Sequence, residues 1–166
     1  MAAPNRILSL NLGTQTVAFA DFKAGPGGGL VPTNYKTSEL LSDPALPDAT
    51  RLAQAKLTLG EMIGGLGYKA QKVNYAISSQ AIFTRFVKLP SVGEEQVDQI
   101  VTFEAQQNVP YPISEVVWDY QLVDSGESGQ VEVVIVAIKA DVLDEINEAV
   151  EASGLKTMTL VVARKE

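Results

Sequence analysis

The chain has 166 residues, 46% of them hydrophobic and 20% charged, which is ordinary for a folded protein and enough for one domain or two small subdomains sharing a core. A net charge of −7, a pI near 4.6 and the lack of any basic run argue against the phosphate-backbone attraction on which nucleic-acid binders rely. With no cysteine and no histidine, a disulfide framework, a thiolate nucleophile, a histidine-held metal and a triad hydrolase are all excluded.

The opening residues Met1 to Arg6 lack the basic region and hydrophobic block of a signal peptide, and no stretch approaches the roughly 18 apolar residues needed to cross a bilayer. A cytoplasmic protein that does not insert into a membrane is expected. Ile7 to Leu12 and Thr16 to Lys23 alternate as strands, joined by a tight turn at Gly13-Thr14-Gln15. Gly13 permits a positive φ or a close backbone approach, so this turn suits either a plain hairpin or a phosphate loop. The run Gly25-Pro26-Gly27-Gly28-Gly29 lacks the Gly-Lys-Ser/Thr ending of a Walker loop and reads as a flexible connection, after which Leu30 to Lys36 returns as a third strand.

Thr37 to Thr50 is polar and broken by prolines, and is expected to run over the surface. From Arg51 a helix is expected on the stripe Leu52, Ala55, Leu59, Met62, Ile63 and Leu66, with Gly67 as its cap. Gly60, Gly64 and Gly65 weaken that helix, and a close helix-to-sheet contact is one reason to keep them. Val73 to Ile77 is a strand, and Ile82 to Leu89 is another, ended by Pro90.

Ser91 precedes Glu94 by the capping-box spacing, so a helix should start there. Its stripe is Val97, Ile100, Val101 and Ala105, with Phe103 on the flank, and Pro110 and Pro112 forbid its continuation. Glu104 falls on the face that should be buried and therefore needs a partner. Val116 to Val123 follows as a strand in which Val116, Trp118, Tyr120 and Leu122 project to one face. Asp124 to Gly129 reads as a hairpin turn, Val131 to Ile138 as a strongly β-prone run, Asp141 to Ala152 as an amphipathic helix closed by Gly154, and Leu155 to Val162 as a last strand.

The residues Arg85-Phe86-Val87-Lys88-Leu89-Pro90, Glu94-Glu95, Phe103 to Tyr111 and Trp118-Asp119-Tyr120-Gln121 together resemble the family of the type IV pilus assembly protein PilM. That resemblance implies an α/β (α+β) fold: an actin-like, ribonuclease H-like subdomain carrying an inserted strand-helix-strand-strand (SHS2) subdomain. It implies residues 1–79 as the first part of the actin-like subdomain, 80–155 as the insert and 156–166 as a return strand, with the second domain of the family absent. It also implies a scaffold that binds the N-terminal cytoplasmic tail of an inner-membrane PilN-like protein, in the groove between the first and inserted subdomains, and so sits at the inner membrane through that partner. Glu104, Tyr111, Trp118 and Tyr120 are the expected partner-binding residues. Contacts with the pilus motor ATPases follow from the same resemblance, and self-association is left open.

The first hairpin of actin-like ATPases carries an Asp that acts on nucleotide-bound magnesium. Asn11, Gly13, Thr14, Gln15 and Thr16 occupy the corresponding positions here, as a candidate phosphate hairpin with an amide in place of the acid. No catalytic or metal residue and no cofactor is expected in this chain; ATP and magnesium are left to a longer protein. The alternative is an ATP-binding actin-like protein similar to the cell-division protein FtsA, forming filaments or hydrolysing ATP. A related type II secretion protein is a close variant of the scaffold reading.

Overall fold

The computed structural model describes residues 6–40, 48–68, 71–90, 94–125 and 130–162. The elements in chain order are β1 (Arg6–Leu12), β2 (Thr16–Ala24), β3 (Leu30–Glu39), α1 (Asp48–Gly64), β4 (Lys72–Ile77), β5 (Phe83–Pro90), α2 (Glu94–Asn108), β6 (Val116–Ser125), β7 (Gln130–Lys139), α3 (Ala140–Ala152) and β8 (Lys156–Val162). Contacts divide the chain into two units: Met1–Ser79 with Glu145–Glu166, and Gln80–Asp144.

The first unit is built on a five-stranded sheet in the order β3-β2-β1-β4-β8. β1, β2 and β3 form an antiparallel meander, while β4 and β8 add in parallel. Alternation turns Leu8 and Leu10, Val17 and Phe19, and Val73, Tyr75 and Ile77 to one face, where all are buried. Phe19 and Leu10 are fully enclosed, and each such side chain contributes about 1.5–3 kcal/mol by leaving water. The helices reach the same face. α1 buries Ala55, Leu59, Met62 and Ile63, then passes the chain through Gly67, at φ 70°, to Tyr68, whose ring lies 5.2 Å from that of Phe19. α3 buries Ile146, Ala149 and Val150, and the Tyr75 hydroxyl donates to Asn147 Oδ1 at 2.7 Å.

The second unit is an antiparallel sheet in the order β5-β7-β6 with α2 laid across one face. Its core joins Val97, Val101 and Ala105 of α2 to Leu89, Val116, Val133, Ile135 and Ala137 of the strands. Phe83, Val87, Trp118 and Tyr120 pack around that cluster as partly buried residues.

Several expectations change. The polar stretch from Thr37 is strand as far as Glu39, and α1 begins at Asp48, so the interval between the two elements is shorter than its composition suggests. β5 continues through Pro90, opposite Gln130. It is an edge strand, where a missing N–H costs no ladder bond. A Cβ added at Gly60, Gly64 or Gly65 meets nothing within 4 Å, so no close sheet contact explains those glycines. Leu122 is 52% exposed instead of sharing the cover over Trp118 and Tyr120, although it keeps the register of that face opposite Val133. The Ser91–Glu94 cap and the tip of the Asp124 to Gly129 turn lie outside the described residues.

Candidate functional site

The first hairpin forms as its alternation predicts. The Gly13 N–H donates to the Thr16 carbonyl at 2.9 Å, and an added Cβ at Gly13 would stand 2.9 Å from that same oxygen. Glycine is therefore required by the closeness of the turn itself. Two neighbours fix the tip: the Leu40 N–H donates to the Gln15 carbonyl at 2.7 Å, and the Ser78 N–H, past the end of β4, donates to the Leu12 carbonyl at 3.1 Å. Asn11 is exposed between Ala18 of β2 and Ala76 of β4, and Thr14, Gln15 and Thr16 are exposed at the tip.

The hairpin thus brings together two amides and two hydroxyls, with no carboxylate of its own. The acid nearest in sequence, Asp21, is otherwise engaged. Among the described residues no group of three or more acidic, histidine or cysteine side chains is placed to hold a metal ion. The side chains of this turn offer amides and hydroxyls and no anionic ligand of their own for a magnesium ion.

Asp21 is the charged group that reading by alternation passed over. It shares strand parity with Val17 and Phe19 and is 1% exposed on the buried face. Arg6 binds it through two nitrogens, Nη2 to Oδ2 at 2.6 Å and Nε to Oδ1 at 2.9 Å, and the Tyr68 hydroxyl donates to Oδ2 at 2.8 Å. The guanidinium also lies 4.7 Å from the centre of the Tyr68 ring. The Arg6 hydrogen bonds hold the carboxyl at about 2, below its usual 3.8, against the opposing effect of burial. The parity of Val17, Phe19 and Asp21 was the available signal. This cluster ties β1 and β2 to Tyr68, four residues past the end of α1, and encloses Asp21 within it.

The four expected partner-binding residues all fall in the second unit. Glu104 is half-buried on α2, where Asn108 Nδ2 donates to both its Oε2 and its carbonyl oxygen at 2.9 Å. The partner that its position demands is thus one turn away on the same helix. Tyr111 is 41% exposed, with Lys139 Nζ 4.7 Å from its ring centre. Trp118 and Tyr120 face α2 and pack on the core, and the Tyr120 hydroxyl donates to the Asp98 carboxylate.

Two solved structures resemble this chain. One, a type IV pilus biogenesis complex of PilM and PilN, matches with a TM-score of 0.72 and 22% identity over 94% of this chain and 47% of that one. The other is the cytoplasmic domain of EpsL, an inner-membrane component of the type II secretion system of Vibrio cholerae. It matches with a TM-score of 0.57 and 10% identity over 95% of this chain and 56% of that one. The chain spans about half the length of each. A search of curated proteins found no match. These likenesses show the fold, a mixed α/β protein built like PilM and the EpsL cytoplasmic domain. The family model of the type IV pilus assembly protein PilM matches residues 10–164, and the chain belongs to that family.

Proposed function

We propose that this chain is a protein-binding scaffold of type IV pilus assembly. In this reading it holds the cytoplasmic N-terminal tail of an inner-membrane PilN-like protein and stays at the inner membrane through that grip. The observation that carries the reading is the family match across nearly the whole chain, from residue 10 to residue 164, together with a fold like that of a PilM solved in complex with PilN. Two features of the molecule support it. Among the described residues no helix is long and apolar enough to cross a membrane, and a grip on a membrane protein would supply attachment. The first hairpin spends Gly13 on its own closure and offers Asn11 where magnesium chemistry calls for an acid.

The test is calorimetric titration of this chain, without nucleotide, with a synthetic peptide copying the cytoplasmic tail of the PilN-like protein from the same cell. Saturable binding is expected, and its absence would sink the reading. Tight binding of Mg·ATP, lost on changing Thr14 or Thr16, would instead favour an enzyme or filament former of the FtsA type.

A further inference from the structure

The run Val133-Val134-Ile135-Val136-Ala137-Ile138 does not alternate, and an unbroken apolar strand has two faces to cover. α2 covers one of them, setting Val97, Val101 and Ala105 in one cluster with Val133, Ile135 and Ala137. The back of the same strand carries a second row: Val134 and Val136, part-buried, then Ile138, buried. Pairing places Val117 beside Ile138, Thr84 and Asp119 on either side of Val136, and Phe86 and Gln121 on either side of Val134. Val117 is 50% exposed and Phe86 49%.

The dimensions of that back face are those of one helix. The sheet is three strands wide, which sets β5 and β6 about 10 Å apart, the breadth of a helix with its side chains. From Val134 to Ile138 is about 13 Å, the rise of about nine helical residues. α2 shows the match on the other face, because its own stripe runs i, i+4, i+8 from Val97 to Ala105.

Charge then selects among occupants. Residues 80–144 hold 11 of the 20 acidic residues and 3 of the 13 basic ones, a net of −8, which leaves +1 for the rest of the chain. A second copy would bring the same −8 to the contact, and an anionic lipid surface is repelled likewise. A cationic partner is attracted. Asp119, exposed beside the row, has Val136 and then Thr84 across from it and no cation in its own row.

We infer that the face of the β5-β7-β6 sheet turned away from α2 takes a basic amphipathic helix of a second partner protein, completing a helix-sheet-helix sandwich. The apolar stripe of that helix lies on Val117, Val134 and Val136, and a Lys or Arg beside the stripe pairs with Asp119. This partner is other than the membrane protein's tail, and neither outcome of the tail titration above bears on it.

The test is fluorescence anisotropy of this chain with a labelled synthetic helix of about 18 residues, with leucines at i, i+4 and i+8 spacing and lysines on the remaining faces. Two control peptides carry the same leucines dispersed around the helix, or glutamates in place of the lysines. Saturable binding of the first peptide alone is expected, weakened about tenfold by Val117→Asp and by Asp119→Lys, and several-fold by raising salt from about 0.05 to 0.5 M. Phe103→Asp, on the exposed face of α2, is expected to leave it unchanged. Circular dichroism checks that the variants fold, and Asp119→Lys, at an exposed position, decides the matter if Val117→Asp does not. No binding of the basic helix, equal binding of either control, or binding that Asp119→Lys spares or Phe103→Asp weakens as much overturns the proposal. A dimer in sedimentation velocity that Val117→Asp dissolves overturns it in favour of a second copy, and co-sedimentation with phosphatidylglycerol vesicles in favour of a membrane.

Discussion

Asp21 shows how one residue links the acid response of the molecule to its packing. Its carboxyl is held at about 2 by Arg6 and ordinarily titrates at 3.8, so the ionised form is favoured by folding. The stabilisation is fully present above pH 3.8 and is lost as pH falls through about 2; by linkage it amounts to at most about 2 kcal/mol. Urea denaturation followed from pH 5 to pH 2 should show that loss in the parent. Asp21→Asn should lack this component of the acid response and start lower at pH 7 by about 1–3 kcal/mol, since Arg6 and Tyr68 lose an ionic acceptor. An unchanged acid slope in Asp21→Asn would show that other carboxylates govern it. The sequence held the clue, because Asp21 follows Val17 and Phe19 at two-residue spacing. It did not hold the partners, since Arg6 and Tyr68 lie 15 and 47 positions away.

At the scale of elements, strong periodicity was legible and edges were not. α2 and α3 showed in their apolar stripes, and β1, β2 and β4 in their alternation. β3, mostly exposed, had little apolar pattern to mark its last three residues. Parity put Trp118 and Tyr120 on one face, but only the position of α2 decides which face is the core. Two predictions belong here. Gly60 lies within α1 with open space where a Cβ would go, so Gly60→Ala should stabilise the chain by about 0.5–1 kcal/mol, read as a higher melting temperature. Ile135 is fully enclosed under α2, and Ile135→Ala should cost about 2–5 kcal/mol in chemical denaturation. A smaller cost would mean that α2 collapses onto the space left.

For the whole molecule, the family and the fold agree with the long ordered resemblance carried by residues 85–121. If the scaffold reading holds, saturating tail peptide should raise the melting temperature of this chain, because a ligand that binds only the folded form stabilises it by about 2.7 kcal/mol at a hundredfold excess over Kd. Mg·ATP at the same multiple of a typical nucleotide affinity should leave it unmoved. A rise with Mg·ATP and none with peptide would reverse the assignment. The sheet order also bears on synthesis. β8 sits beside β4, yet all of β5, α2, β6, β7 and α3 is made between them. At about 5–20 residues per second, β4 waits on the ribosome for roughly ten seconds with its outer edge unmatched. The contiguous second unit can close during that wait, so the sheet begun before it is completed after it.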